Sequence, residues 1–370
     1  MLDISTICQY RLRNQRLIGA PFENIEDVVG WLTAVQSQDY AGAKWAIGQR
    51  VKDACDDRIN ELFNEGKILR THIMRPTWHF VLPADIRWML KLTAPRVSAV
   101  SAYYFRKMEL DQTVFKRSNA AISKALLGGK QLTRDELGKI LSRAKIDATG
   151  IRLAYIIIRA ELDAVICSGA LRGKQFTYAL LDERVRSSRT FERDEALAEL
   201  TIRYFMGHGP ALLRDFVWWS GLTVSDAKAG LEMARSRLGY EVSDGKTYWF
   251  GALGPIRKIK EPIVHLLPNY DEYLIAYKDR GMSFDPGLQK KRIGQRDNPL
   301  AAHIVVLNGQ VIGGWRRTVT KKEVTVELDL LVNLTKSQQL ALKRAAEQYA
   351  RFLKKSVTRL VTAQQPPHPA

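Results

Sequence analysis

Cysteine is scarce in this sequence. Three thiols, Cys8, Cys55 and Cys167, are odd in number and widely spaced across 370 residues, which argues against a disulfide framework and for a reducing compartment. No apolar run approaches the ~20 residues of a membrane span. The most apolar segment, LAYIIIRAELDAVI, is broken by Arg159, Glu161 and Asp163. Met1-Leu2-Asp3 has no basic flank followed by an apolar core, so no signal peptide is expected. The six histidines are not grouped at metal-ligand spacing, and neither HExxH nor a CxxC pair occurs, so no metal is expected. GxGxxG and GxSxG are absent too. LLGGKQ lacks the upstream glycine and the Ser/Thr of a phosphate-cradling loop, which argues against nucleotide hydrolysis, and no nucleotide cofactor is expected. The expectation is a cytoplasmic, nucleoid-associated protein without cofactor, metal or membrane partner.

What the chain has in excess is positive charge. Lys and Arg total 57 against 39 acids, a net +18 with a pI near 9.8. Such an excess favours polyanionic partners through steering and counterion release. The cations are dispersed through amphipathic sequence and form no basic tail, so a nucleic acid would meet a folded surface.

The first hundred residues alternate helix signals with one hairpin. Ile4–Arg16, Ile25–Val35 and Asp56–Glu65 have helical periodicity, the last closed by Gly66. KILRTHIMRPTWHFVLP then suggests two strands connected around Pro76. Helices followed by a hairpin make a winged helix. The order recurs in a helix, a Gly-Gly break, a helix with a Thr133/Glu136 capping box, a helix Gly150–Cys167 and two strands around a basic turn. A third round has helices near Arg193–Met206, Ala211–Trp218 and Ser225–Arg237, then a hairpin turning at Asp244-Gly245. From about Ile263 the texture becomes strand-rich, with Asn308-Gly309 as a hairpin turn and a closing helix Ser337–Lys355.

The expected fold class is therefore α+β: three tandem winged-helix units, a C-terminal β-rich, barrel-like unit and a closing helix. The boundaries fall at residues 1–112, 113–190, 191–260 and 261–362, with a frayed tail at 363–370.

One short stretch stands out chemically. Gln36-Ser37-Gln38 follows an apolar helical run. In extended backbone, residues i and i+2 project to one side, so two carboxamides could share a small molecule. That pair suits holding a water rather than deprotonating it. The residues alone leave a second reading open, in which the glutamines cap the preceding helix. Asp39 is equally two-sided, either the cap of the next helix or a neighbouring base.

Five blocks carry a resemblance over nearly the whole chain: AVQSQDYAGAKWAIGQR, ILRTHIMRPTWHFVLPADIRWML, AYIIIRAELDAVICSGALRGKQFTYALLDERV, GPALLRDFVWWSGLT and LLPNYDEYLIAYKDR. The sequence resembles the winged-helix DNA glycosylases of the AlkZ type. That resemblance implies a concave DNA-binding body and a Gln-x-Gln catalytic motif, matched here by Gln36 and Gln38. It also implies excision of N-alkylated purines from double-stranded DNA, and in some members unhooking of interstrand crosslinks. Ser37 replaces the small apolar residue commoner at the middle position. No lysine in the motif is placed to form a Schiff base, so a monofunctional enzyme is expected. A single-chain clamp on DNA needs no dimer, so a monomer is expected as well.

Auxiliary candidates are Asp39, Trp78 and His79, the last two for a lesion pocket. Phosphate-binding candidates are Arg70 and Arg75 in the hairpin, Arg172 and Lys174 in the second wing, Lys290, Lys291 and Arg292 in a basic loop, and Arg316 and Arg317 at a strand end. Trp218 and Trp219 read as packing residues, and Asp271 and Glu272 as ordering the junction of the β-rich unit. The rival function is a non-enzymatic winged-helix DNA-binding protein. RNA binding ranks last, because the aromatic motifs of the common RNA-binding modules are missing.

Overall fold

Periodicity builds most of the helices, and a computed structural model shows how they assemble over residues 2–252, 254, 255, 259–284 and 302–362. Helix α1 (Ile4–Asn14) is capped by the Asp3 side chain. Helix α2 (Ile25–Leu32) buries Ile25, Val28, Val29 and Leu32, one stripe at helical spacing. It ends earlier than expected. Thr33 takes a left-handed φ of 69°, and Val35 and Gln36 form strand β1 (Val35–Gln36). Apolar periodicity cannot separate a helix from a short buried strand that follows it directly.

Helices α3 (Tyr40–Gly48) and α4 (Asp56–Glu65) come next, the second closed by left-handed Gly66. The hairpin β2 (Leu69–His72) and β3 (Trp78–Val81) completes a sheet of order β1-β3-β2, with Val35 opposite Phe80 and Gln36 opposite His79. Helix α5 (Pro83–Lys107) starts on Pro83, whose missing N–H costs nothing there, and runs 25 residues onward. The sequence reading does not anticipate it.

The order then repeats with α6 (Gln112–Leu126), β4 (Leu132–Thr133), α7 (Arg134–Arg143), α8 (Gly150–Leu162), β5 (Ile166–Ser168) and β6 (Thr177–Leu180). The Thr133/Glu136 capping box is present. The helix expected to reach Cys167 stops at Leu162, because Ile166–Ser168 pair with Leu180–Tyr178. After the short α9 (Leu181–Arg184), a third round follows: α10 (Arg193–His208), α11 (Leu213–Ser220), α12 (Val224–Ala234), β7 (Gly239–Ser243) and β8 (Lys246–Phe250). A single bridge, Ala211 to Trp249, replaces its first strand, and α11 begins at Leu213, two residues later than expected.

The last part holds β9 (Val264–Leu267), the short α13 (Glu272–Ile275), β10 (Ile304–Leu307), β11 (Gln310–Val319), β12 (Glu323–Leu330), α14 (Lys336–Phe352) and β13 (Ser356–Thr362). The sheet order is β13-β12-β11-β10-β9, curled into a half-barrel, with only β12 and β13 parallel. The closing helix is thus followed by one more strand. The Asn308-Gly309 turn is as expected, both residues having positive φ.

One core joins α2, α3 and α4 to this sheet and α14, and a second joins β2, α5, α10 and α11 to Ala276 and Tyr277 just after α13. The repeat from α6 to β6 has a core of its own. Helix α1 packs away from the first repeat: Arg11 Nε donates to Pro210 O, and Leu2 N donates to Glu241.

Candidate active site

Strand β1 delivers Gln36 to a buried position, 5% exposed, on the wall of a cavity of about 740 Å³. Met74, Arg75, Val97, Val217, Trp218 and Ile275 line it with Gln36, and the cations Arg96, Arg214 and Lys278 also border it. A volume of this size lies within the roughly 300–1,000 Å³ typical of small-molecule pockets.

Arg75 fixes the glutamine. Its Nη2 donates to Gln36 Oε1 at 2.8 Å, and a guanidinium can only donate, so the carboxamide oxygen must face it. Burial draws the Arg75 pKa down to about 10, with Glu272 pulling the other way, so Arg75 stays charged at neutral pH. Behind the strand, Gln36 N donates to Glu272 Oε1 at 3.2 Å. That carboxylate is 1% exposed, and its Oε2 accepts from Trp219 Nε1 at 2.9 Å. His208 Nε2 lies 3.3 Å from the same oxygen, without hydrogen-bond alignment. Gln36 therefore bridges a cation on its side chain and an anion on its backbone.

The segment after Gln36 is held by its main chain. Ser37 N donates to Trp78 O at 2.7 Å, and Ser37 O accepts from Arg70 Nε and Nη2 at 3.2 and 3.1 Å. Arg70 lies between the Trp78 and Phe176 rings, 4.2 and 4.5 Å from their centroids. It is 7% exposed, and burial lowers its pKa to about 10. Arg70 is thus a buried cation whose Nε and Nη2 hold the loop, not the surface cation that its hairpin position suggests.

Gln38 is exposed, and its Oε1 lies 3.4 Å from Trp78 N. The two carboxamides thus have different partners, and only Gln36 lines the cavity. Asp39 caps α3, its Oδ1 accepting from Gly42 N at 3.0 Å, the first of its two readings. Trp78 is half-buried against His72, at 4.4 Å between rings. His79 is fully buried with Nδ1 2.9 Å from Thr77 O, and burial together with Arg75 pushes its pKa well below 6.5. It is a neutral ring inside the sheet, outside the cavity wall.

Arg172 and Lys174 are exposed on the second wing, Arg172 bound to Glu136 at 2.7 Å. Arg316 is exposed on β11, whereas Arg317 is half-buried, its Nη1 2.8 Å from His303 Nε2. Lys290, Lys291 and Arg292 lie outside the described residues. Trp218 does more than pack: its Nε1 donates to Ile275 O at 2.9 Å while it forms cavity wall. A larger cavity, about 850 Å³ between α3, α14 and the chain before β9, contains none of residues 36–38. Among the described residues, no cluster of His, Cys, Asp and Glu could hold a metal, and no helix is long and apolar enough to cross a membrane.

The family profile described as "DNA glycosylase AlkZ-like" matches residues 29–352. The chain belongs to the AlkZ-like DNA glycosylase family. Within it, the chain is similar to the "Interstrand DNA cross-link repair glycosylase" of Streptomyces sahachiroi, 23% identical over 328 residues, covering 83% of this chain and 85% of that protein. The solved structure of the Streptomyces sahachiroi DNA glycosylase AlkZ has the same fold, with a TM-score of 0.81 at 20% identity over 98% of this chain and all of the other. Against this AlkZ-like background, the residue most underrated by sequence reasoning is Glu272. Its signal is two adjacent acids, Asp271 and Glu272, inside an apolar segment, where burial demands partners. Asp271 finds Arg50, two bonds at 2.8 and 2.9 Å, and Glu272 finds the Gln36 backbone.

Proposed function

We propose that this AlkZ-like glycosylase is monofunctional and hydrolyses the N-glycosidic bond of cationic N7- or N3-alkylated purines in double-stranded DNA. Gln36 positions the water from the cavity wall, and Gln38, exposed two residues on and outside that wall, is the second carboxamide of the pair. The observation that carries the reading is the Gln36 carboxamide, buried on a cavity wall with its oxygen oriented by Arg75. The helix–strand–helix–helix–hairpin order at 1–112 and 113–190, and its variant at 191–260, is read as three winged helices that present this cavity to DNA as a monomer.

An N7-alkylpurine already carries positive charge. When the C1′–N bond breaks, its electron pair neutralises the leaving base, so no protein acid has to protonate it. The sugar becomes oxocarbenium-like, and water adds to C1′ with loss of a proton to solvent. Placement and electrostatic preorganisation then supply most of the acceleration. Gln36 Oε1 retains a lone pair beyond the one Arg75 uses, and its amide can donate. Arg75 alone would oppose a cationic base. The buried Glu272 carboxylate offsets that charge and pins the strand bearing Gln36. The size of the cavity suits a base carrying a bulky substituent, extruded from the helix. Unhooking of a crosslinked purine is the same reaction on a larger leaving group, in keeping with the crosslink-repair activity of the Streptomyces relative.

The test is base release from duplex containing 7-methylguanine, beside Gln36→Ala/Gln38→Ala. Release leaving an intact strand with an abasic site, lost in the variant at unchanged DNA affinity, is the expected result. No release from methylated or crosslinked duplex, with tight sequence-specific binding, would establish the non-enzymatic reading instead. Uracil or hypoxanthine release at the 7-methylguanine rate would contradict the water-positioning chemistry.

A further inference from the structure

Helix α5 carries a surface the chemistry at Gln36 does not use. Arg96, Val100, Tyr103, Tyr104 and Lys107 recur at helical spacing on its solvent side. Val100 is 46% exposed, Tyr103 59% and Tyr104 47%. Single exposed apolar residues need no explanation, but a contiguous strip does. Tyr104 stacks on Tyr155 of α8, with centroids 5.6 Å apart and planes 16° apart, and Tyr103 meets Tyr104 edge-on at 5.3 Å. Ile151, one turn before Tyr155, is 55% exposed. The strip starts at the cavity itself, because Arg96 and Val100 also line it.

We propose that this strip is a nucleobase-stacking shelf, which receives unpaired bases of the lesion strand next to the nucleotide held in the cavity. The proposal rests on the glycosylase reading above. Three observations favour DNA bases over a protein partner. The strip is continuous with the cavity that would hold the lesion. It is flanked by Arg96, Arg106 and Lys107, all exposed and in no ion pair among the described residues. Neither residues 96–107 nor residues 151–159 include a single carboxylate, so the surface complements phosphate along its length.

Exposed tyrosine faces bind any base, and sequence-tolerant stacking is what a repair enzyme needs beside a lesion in arbitrary context. One turn of α5, about 5.4 Å, separates Val100 at the cavity from Tyr103 and Tyr104, between one and two base steps of about 3.4 Å. Occupying the shelf requires the neighbouring pair to open. The glycosylase therefore favours lesions beside a mismatch or a single-strand junction, where opening is already partly accomplished.

Single-stranded oligothymidylate is the probe, with the full chain and the variants Tyr103→Ala, Tyr103→Ala/Tyr104→Ala and Tyr104→Phe. The double variant should bind the oligonucleotide at least about fivefold more weakly with an unaltered salt slope, since no charge changes. Tyr104→Phe keeps the π-face and should bind as wild type. On 7-methylguanine beside a mismatch, the double variant should need more enzyme to saturate yet reach the wild-type single-turnover rate, and its preference for the mismatch should disappear. Wild-type oligonucleotide affinity in both alanine variants, with base release intact, overturns the shelf and leaves the glycosylase standing. Absence of base release in the wild type overturns the glycosylase reading, a result distinguishable from the first. Should the double variant lose thermal stability, Tyr103→Ala alone decides, because its ring is the most exposed. An Ala variant that changes self-association but not oligonucleotide affinity also overturns the proposal, assigning the strip to a protein contact.

Discussion

The first and second repeats have the same element order, and they differ at a strand-to-helix joint and at the hairpin turn. In the second, strand β4 runs directly into helix α7, so Thr133 is both the last strand residue and the helix cap. In the first, Ser37, Gln38 and Asp39 stand between the end of β1 and the start of α3. Gln36 and Thr133 occupy equivalent places, opposite His79 and Thr177 in their sheets. The hairpin turns diverge in the same sense. Residues 169–176 carry Lys174 out to solvent, whereas residues 73–77 turn Arg75 back onto Gln36. The same frame becomes a candidate active site when a strand-to-helix joint is lengthened and its own hairpin is bent inwards to hold it. The lengthened joint needs support that the short one does not, and Arg70, Trp78 and Glu272 supply it through the backbone.

That comparison can be broken or sharpened experimentally. Gln36→Ala should lower single-turnover base release by about 10²-fold or more, the scale of losing one oriented group at a reacting centre, with duplex affinity within about twofold. Glu272→Gln should cost about one order of magnitude in the same rate. If the charge balance is its role, Glu272→Gln/Arg75→Gln should be less impaired than the sum of the single variants, a coupling that a purely structural carboxylate would not produce. Arg70→Ala leaves Ser37 O without its donor in a buried site, and urea unfolding should show about 2–3 kcal/mol lost. The solvent-facing counterpart, Arg172→Ala, should cost under about 1 kcal/mol. Equal losses would deny that the first joint is specially supported.

The histidines extend the contrast to pH. Burial pushes His79 well below 6.5 and His265 down to about 4. Below pH 6.5 the unfolded chain binds protons that these folded sites refuse, so stability is complete above 6.5 and declines as pH falls towards about 4. Two such sites give a slope of at most about 2.7 kcal/mol per pH unit. Denaturant midpoints at pH 7 and pH 5 measure it, and His79→Asn should remove about half. The second repeat, residues 113–190, contains no histidine and contributes none of this slope through that residue type. The smallest effect belongs to the outward wing. Lys174→Ala should reduce the salt slope of duplex binding by about one, with the base-release rate unchanged.

Much of this was readable in the residues. The Gly66 cap, the Thr133/Glu136 box, the Asn308-Gly309 turn and the first hairpin follow from local rules, because each depends on a few neighbouring residues. The misses occur where a distant strand decides. Val35 leaves its helix to pair with Phe80, Ile166 leaves its helix to pair with Leu180, and β13 exists because β12 offers it an edge. Arg70 looked like Arg172 in sequence, both being cations in hairpins. Burial against Trp78 and Phe176 separates them, and burial is not a property of a residue type.

The sequence by itself determined the basic charge, the recurrent helix–hairpin order and the presence of two amides where an acid–base pair would be usual. Those are local or additive properties of the chain. The tertiary structure alone decided that Gln36 lines the cavity and Gln38 does not, that Arg75 orients it, and that Glu272, 236 residues later, lies behind its backbone. The reason is that a carboxamide's orientation and a buried charge's effect depend on partners brought together by folding.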